Sequence, residues 1–156
     1  MSKGMRRRGR ELALKIIYSY QDTNSSVEAV LEDFWSNFRF REDILGDAVD
    51  DTSEAVPDEV RRFTEDLALG ALANLSNLDS VIKEYSTNWT LERMAKVDLS
   101  LLRLATFELL FHPDVPTSVV INEAIEIGKR YGTKDTPAFI NGILDKISRT
   151  RRQQDQ

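Results

Sequence analysis

The chain has 156 residues, with 21 Lys plus Arg, 26 Asp plus Glu, one His and no Cys. That length suits one domain with a sizeable core, and the lack of cysteine excludes disulfides, thiolate zinc sites, iron–sulfur clusters and Cys nucleophiles while agreeing with a reducing cytoplasm. The net charge of -5 excludes a protein that is basic throughout, so its distribution carries more meaning than its sum.

In chain order, Lys3, Arg6, Arg7, Arg8 and Arg10 make a basic arm over about residues 1–10 without an acid. Leu12, Ala13, Ile16, Ile17 and Tyr20 then line one face of a helix over about residues 8–22. Ser25 or Ser26 caps a second helix carrying Val27, Val30, Leu31, Phe34, Trp35 and Phe38. Residues 40–60 carry Glu42, Asp43, Asp47, Asp50, Asp51, Glu54, Asp58 and Glu59 against Arg41 alone, and about 39–57 read as an acidic, solvated loop. Pro57 suits the first position of a third helix with Val60, Phe63, Leu67, Leu69 and Leu72. Ser76 or Asn77 suits the cap of a fourth, with Leu78, Val81, Ile82 and Tyr85. Val97 to Phe111 is apolar on nearly every side, as a central helix would be, and Pro113 and Pro116 end it. Thr117 or Ser118 opens the next, with Val120, Ile121, Ala124, Ile125 and Gly128 inward and Gly132 as its C′ residue. Thr136–Pro137 reads as an N-cap and first-turn proline before Phe139, Ile140, Ile143, Leu144 and Ile147. The chain turns basic again at Lys146, Arg149, Arg151 and Arg152. The expected fold is all-α, a bundle of about seven helices. No apolar run reaches the ~18 residues of a membrane span, and none follows the basic start as in a signal peptide.

Groups that move protons, form covalent bonds or hold metals are scarce. The only imidazole, His112, stands at a helix end, where a cationic or surface role is the common one. The seven glycines are scattered singly, with no phosphate-cradling loop, zinc-binding His pair or nucleophile elbow. Glu123 and Glu126 read as half-solvated carboxylates partnered by Lys129 or Arg130. The chain therefore reads as a non-enzyme with no cofactor and no metal.

What remains is a binding constellation. A basic arm on an acidic body points to a polyanion partner. Arg7 and Arg10 precede Tyr18 by about three and two helical turns, so all three can share a face. Guanidinium groups pair with phosphates, and a phenol ring stacks on a splayed base, which suits single-stranded RNA. The alternative is that Tyr18 packs under the acidic loop and the arginines solvate the N-terminus; the pattern does not choose. A second candidate is the turn Tyr131–Phe139. There the last helix offers free backbone N–H groups to an anion, Lys134 adds charge, and Asp135 can accept from a base amino group. Phe139 is either a stacking ring or the first core residue of that helix.

The string Arg6-Arg7-Arg8-Gly9-Arg10-Glu11-Leu12-Ala13-Leu14 followed by Tyr18 resembles the opening of the bacterial antitermination factors of the NusB family. The likeness continues in Lys96-Val97-Asp98, Leu102 to Leu109 and Asp114-Val115-Pro116, and is strongest in Val120 to Lys129 and Phe139 to Lys146. It covers most of residues 6–23 and 91–147, and nothing is carried over to about 36–60. The resemblance implies an all-helical, cytoplasmic protein of two packed helical subdomains. It also implies binding to the boxA element of ribosomal RNA leader transcripts together with NusE, a small-subunit ribosomal protein, in an antitermination complex on RNA polymerase. The residues matching the family's RNA contacts are Arg6, Arg7, Arg8, Arg10, Tyr18, Lys134, Asp135 and Phe139. Monomer versus homodimer stays open, as do the residues facing NusE; Trp35, Trp89 and Phe38 are either interface markers or core residues, the core being the usual fate of large rings.

Two rivals stand beside this reading. One is the NusB-like helical domain of a ribosomal RNA cytosine methyltransferase, which needs a cofactor-binding α/β domain and catalytic cysteines that these 156 residues lack. The other is a helical scaffold that binds only protein.

Overall fold

The structure, a computed structural model, describes residues 1–20, 26–37 and 56–152. Among these residues there are seven α-helices, one 3₁₀ turn and no strand. None of these helices is long and apolar enough to cross a membrane. Phe38 and residues 39–55 of the acidic stretch lie outside the described residues. The chain divides into two compact units, residues 1–72 and 73–156.

The first unit holds α1 (Lys3–Ser19), α2 (Val27–Asn37) and α3 (Asp58–Ala73). Helix α1 begins five residues earlier than the apolar spacing predicts, because Ser2 is a working cap whose Oγ accepts from the Met5 N–H at 3.1 Å. The arginines that follow are good helix formers and carry the helix through. It stops at Ser19, whose hydroxyl donates to the Ile16 carbonyl at 2.9 Å. Leu12 through Ile17 are buried without a break, so the middle of α1 is enclosed on every side rather than along one stripe. Ser26, not Ser25, begins α2 by accepting from the Ala29 N–H at 3.1 Å. Pro57 sits just before α3 and its carbonyl accepts the first bond, from Arg61. Helices α1 and α3 approach closely at Gly9. A Cβ there would lie 2.5 Å from Phe63 Cδ2, and the Thr64 hydroxyl reaches the Gly9 carbonyl at 3.3 Å.

The second unit holds α4 (Leu75–Tyr85), a 3₁₀ turn (Leu91–Arg93), α5 (Lys96–Phe111), α6 (Thr117–Tyr131) and α7 (Thr136–Arg151). Helix α4 starts earlier than Ser76 or Asn77 would cap it, with Asn74 at the cap position and no capping bond from its side chain. The apolar α5 is central as expected: it packs against α4, α6 and α7, and Ser100 to Leu109 are buried apart from half-exposed Arg103. Arg103 holds Asp79 of α4 with two bonds of 2.8 Å, the parallel fork of a guanidinium on a carboxylate. At the other end of α5, Arg152 is buried and donates to the carbonyls of Leu109, His112 and Val115 at 2.8, 2.6 and 2.7 Å. It also reaches the Glu108 carbonyl and the Thr117 hydroxyl. A helix end leaves its last carbonyls without intrahelical partners, and here one guanidinium takes two of them, Glu108 and Leu109, together with the His112 and Val115 carbonyls of the turn into α6.

Candidate nucleic-acid interface

The expected site residues fall in two places, one in each unit. In the first unit, Arg6, Arg7 and Arg8 lie on the opening turns of α1. Arg6 is exposed and its Nη2 donates to the Met1 carbonyl at 2.8 Å. Arg7 and Arg8 are half-buried. The Met1 ammonium lies 3.4 Å from a Glu59 oxygen. No acid stands in the first turn of α1. Cations at that end oppose the positive end of the helix dipole, at a cost of about 0.3–1 kcal/mol each, and like charges at i, i+3 or i, i+4 repel further. The opening of α1 thus concentrates donors and positive charge together.

Arg10 departs from this pattern. It is 3% exposed and its guanidinium carbon sits 5.5 Å from the centre of the Phe63 ring. The reason is rotational: Arg10 shares a helix stripe with Ala13, Leu14 and Ile17, all buried. It is a buried cation against an aromatic ring, with little surface to give a phosphate. Tyr18 is half-buried on the last turn of α1. Arg7 and Tyr18 do share an azimuth, but they are about 16 Å apart along the axis, and the enclosed stretch Leu12–Ile17 lies between them. The shared face is therefore two separate openings rather than one continuous surface.

In the second unit, the α6–α7 turn is built around Thr136. Its hydroxyl accepts from the Thr133 N–H at 3.0 Å and donates to Asp98 Oδ1 of α5 at 2.7 Å. Thr136 is thus not the cap of α7; Asp135 is, and its side chain makes no capping bond. Gly132 ends α6 with φ −96°, not in the left-handed region. Its glycine is required by space: a Cβ would collide with Thr136 Oγ1 and stand 2.6 Å from Thr136 Cβ. The expected array of free N–H groups is reduced, because the Thr136 N–H donates to the Thr133 carbonyl and Pro137 has none. Lys134 and Asp135 are exposed at the tip of the turn.

Phe139 is half-buried, its ring edge-on to Trp89 with centres 5.9 Å apart and planes at 78°. Trp89, expected in the core, is 48% exposed. Its neighbours Thr87, Asn88 and Thr90 are all polar and exposed, and that run was the available sign. The basic end of α7 is spent internally: Arg149 pairs with Asp145 at 3.1 Å, Arg151 with Glu84 at 2.8 Å, and Arg152 is the buried clamp. The Glu84 hydrogen bond raises the pKa of exposed Arg151 above its ordinary value. Glu126 takes Lys129 at 3.1 Å, and His112 is a half-buried helix end whose ring meets Phe107 edge-on.

Residues 7–149 match the NusB family. The chain belongs to that family. It is 65% identical over 152 residues to the transcription antitermination protein NusB of Syntrophotalea carbinolica, covering 97% of each chain. With that of Geobacter sulfurreducens it shares 45% over 147 residues, covering 94% of this chain and 96% of the relative. Among solved structures, T. maritima NusB superposes with a TM-score of 0.76 at 34% identity, over 96% of this chain and 94% of the other. The same fold, at 17% identity and a TM-score of 0.75, occurs in a NusB crystallised with NusE and double-stranded RNA, over 96% and 99% of the two chains.

Proposed function

We propose that this protein is a cytoplasmic transcription antitermination factor that binds single-stranded boxA RNA of ribosomal RNA leader transcripts together with NusE, within an antitermination complex on RNA polymerase. The observation that carries the reading is the opening of α1, where Arg6, Arg7 and Arg8 gather at a helix N-terminus with no acid in its first turn. Such a placement costs stability in isolation and is repaid by phosphates. Tyr18 and Phe139 supply rings for unstacked bases, and Lys134 and Asp135 supply charge and an acceptor at the second patch. Arg10 acts from beneath the surface, through Phe63, by fixing how α1 meets α3.

Two relatives covering nearly this whole length are named antitermination proteins, and a protein of the same fold has been crystallised with NusE and RNA. The test is a titration of labelled boxA-like RNA against scrambled single-stranded and duplex controls, with and without NusE. Preference for the boxA-like strand, tightened by NusE, is the expected result. Equal binding to all three RNAs would discard the assignment.

A further inference from the structure

We infer that Trp89 and Arg93, beside Phe139, form an additional RNA-binding platform on which an unpaired base stacks. This rests on the RNA-binding reading above and adds a subsite to it. Trp89 leaves 48% of its surface in water. The Arg93 guanidinium carbon lies 5.9 Å from the centre of its ring, and Phe139 meets it edge-on at 5.9 Å. The platform is held in place: the Trp89 N–H donates to the Ser86 carbonyl at 3.1 Å, and the Ser86 hydroxyl donates back to the Trp89 carbonyl at 3.2 Å, with Ser86 buried.

An indole is the largest stacking surface in the chain and the best partner for a cation over its face. The exposed residues beside it, Thr87, Asn88, Thr90, Glu92 and Arg93, offer polar groups to base edges, 2′-hydroxyls and phosphates. Through Phe139 the platform is continuous with the turn carrying Lys134 and Asp135.

The experiment uses the full chain and a labelled single-stranded boxA-like RNA. Trp89→Ala is expected to weaken binding roughly tenfold or more, the size of a lost base–aromatic stack. Trp89→Phe should retain most of the affinity, and Arg93→Ala should lose less than Trp89→Ala. The chain has two tryptophans, so a Trp35→Phe background isolates the emission of Trp89, which RNA should quench. Native RNA affinity in Trp89→Ala, with Tyr18→Ala impaired, would overturn the platform and leave the RNA-binding reading standing. Loss of NusE affinity with RNA affinity intact would assign the ring to protein contact and overturn it too. Should Trp89→Ala melt early, the quenching decides: an unquenched Trp89 overturns the inference. A native chain that fails to bind RNA at all would remove the reading and the inference together.

Discussion

Two arginines separated by 142 positions show how differently one side chain is used. Arg10 and Arg152 are both buried, yet Arg10 packs on a ring whereas Arg152 donates to four carbonyls and a hydroxyl. Replacing Arg152 with Ala strands buried acceptors at the end of α5, each costing about 1–3 kcal/mol if left unmade. Allowing for water at the vacated site, the expected loss is about 3 kcal/mol of unfolding free energy, read from urea denaturation; a change below 1 would show the clamp to be dispensable. Tyr18→Ala is expected to cost about 1–3 kcal/mol of RNA binding with helicity retained by circular dichroism. Unchanged RNA affinity would take Tyr18 out of the interface.

At the scale of the element, α1 and the α6–α7 turn make opposite predictions. The cations opening α1 oppose its dipole and one another. The double substitution Lys3→Gln, Arg6→Gln should therefore raise the stability of the RNA-free protein at low salt by about 0.5–1 kcal/mol while weakening RNA binding. A fall in both would mean these side chains serve the fold. The turn has no such slack. Gly132→Ala must displace Thr136, which ties the turn to Asp98, so a loss of about 1–3 kcal/mol is expected from overpacking, visible as a lower thermal midpoint.

The helices were legible in the sequence because their apolar spacing is regular. Their ends were less so. The start of α1 depends on a serine outside the apolar pattern, and α4 begins after Asn74, whose side chain makes no capping bond, rather than at the polar pair after it. Of the site, Arg6, Arg7, Arg8, Lys134 and Asp135 emerge at least partly open as their charge suggests. Arg10 is buried because it lies on the Leu14 and Ile17 stripe, a placement that its guanidinium character does not announce. Trp89 is open although large rings usually bury, so of its two expected fates the structure shows the surface one. Neither Asp98 nor Arg152 has a local signal; their roles come from partners far along the chain.

For the whole molecule, a net charge of -5 sets the long-range field against a polyanion, so the proposed RNA binding is expected to rest on local cations and to weaken with salt. If about four phosphates are neutralised, log K against log salt should have a slope of roughly -3 on a single strand. Gel-shift or anisotropy titrations across a salt series check this; a flat slope would favour a protein-only scaffold. Arg7→Ala should shrink the slope, and Trp89→Ala should lower affinity with the slope unchanged, because stacking releases few counterions.

The guanidinium of residue 152 also sets an order of events during synthesis. The α5 carbonyl of Leu109 waits 43 residues for its donor, about 2–9 seconds at ordinary bacterial elongation rates. Until then the carboxyl end of the central helix is open to water, and the residue just beyond α7 fastens it. A chain lacking residue 152 would carry α4 to α7 and still lack the fastening of the second unit.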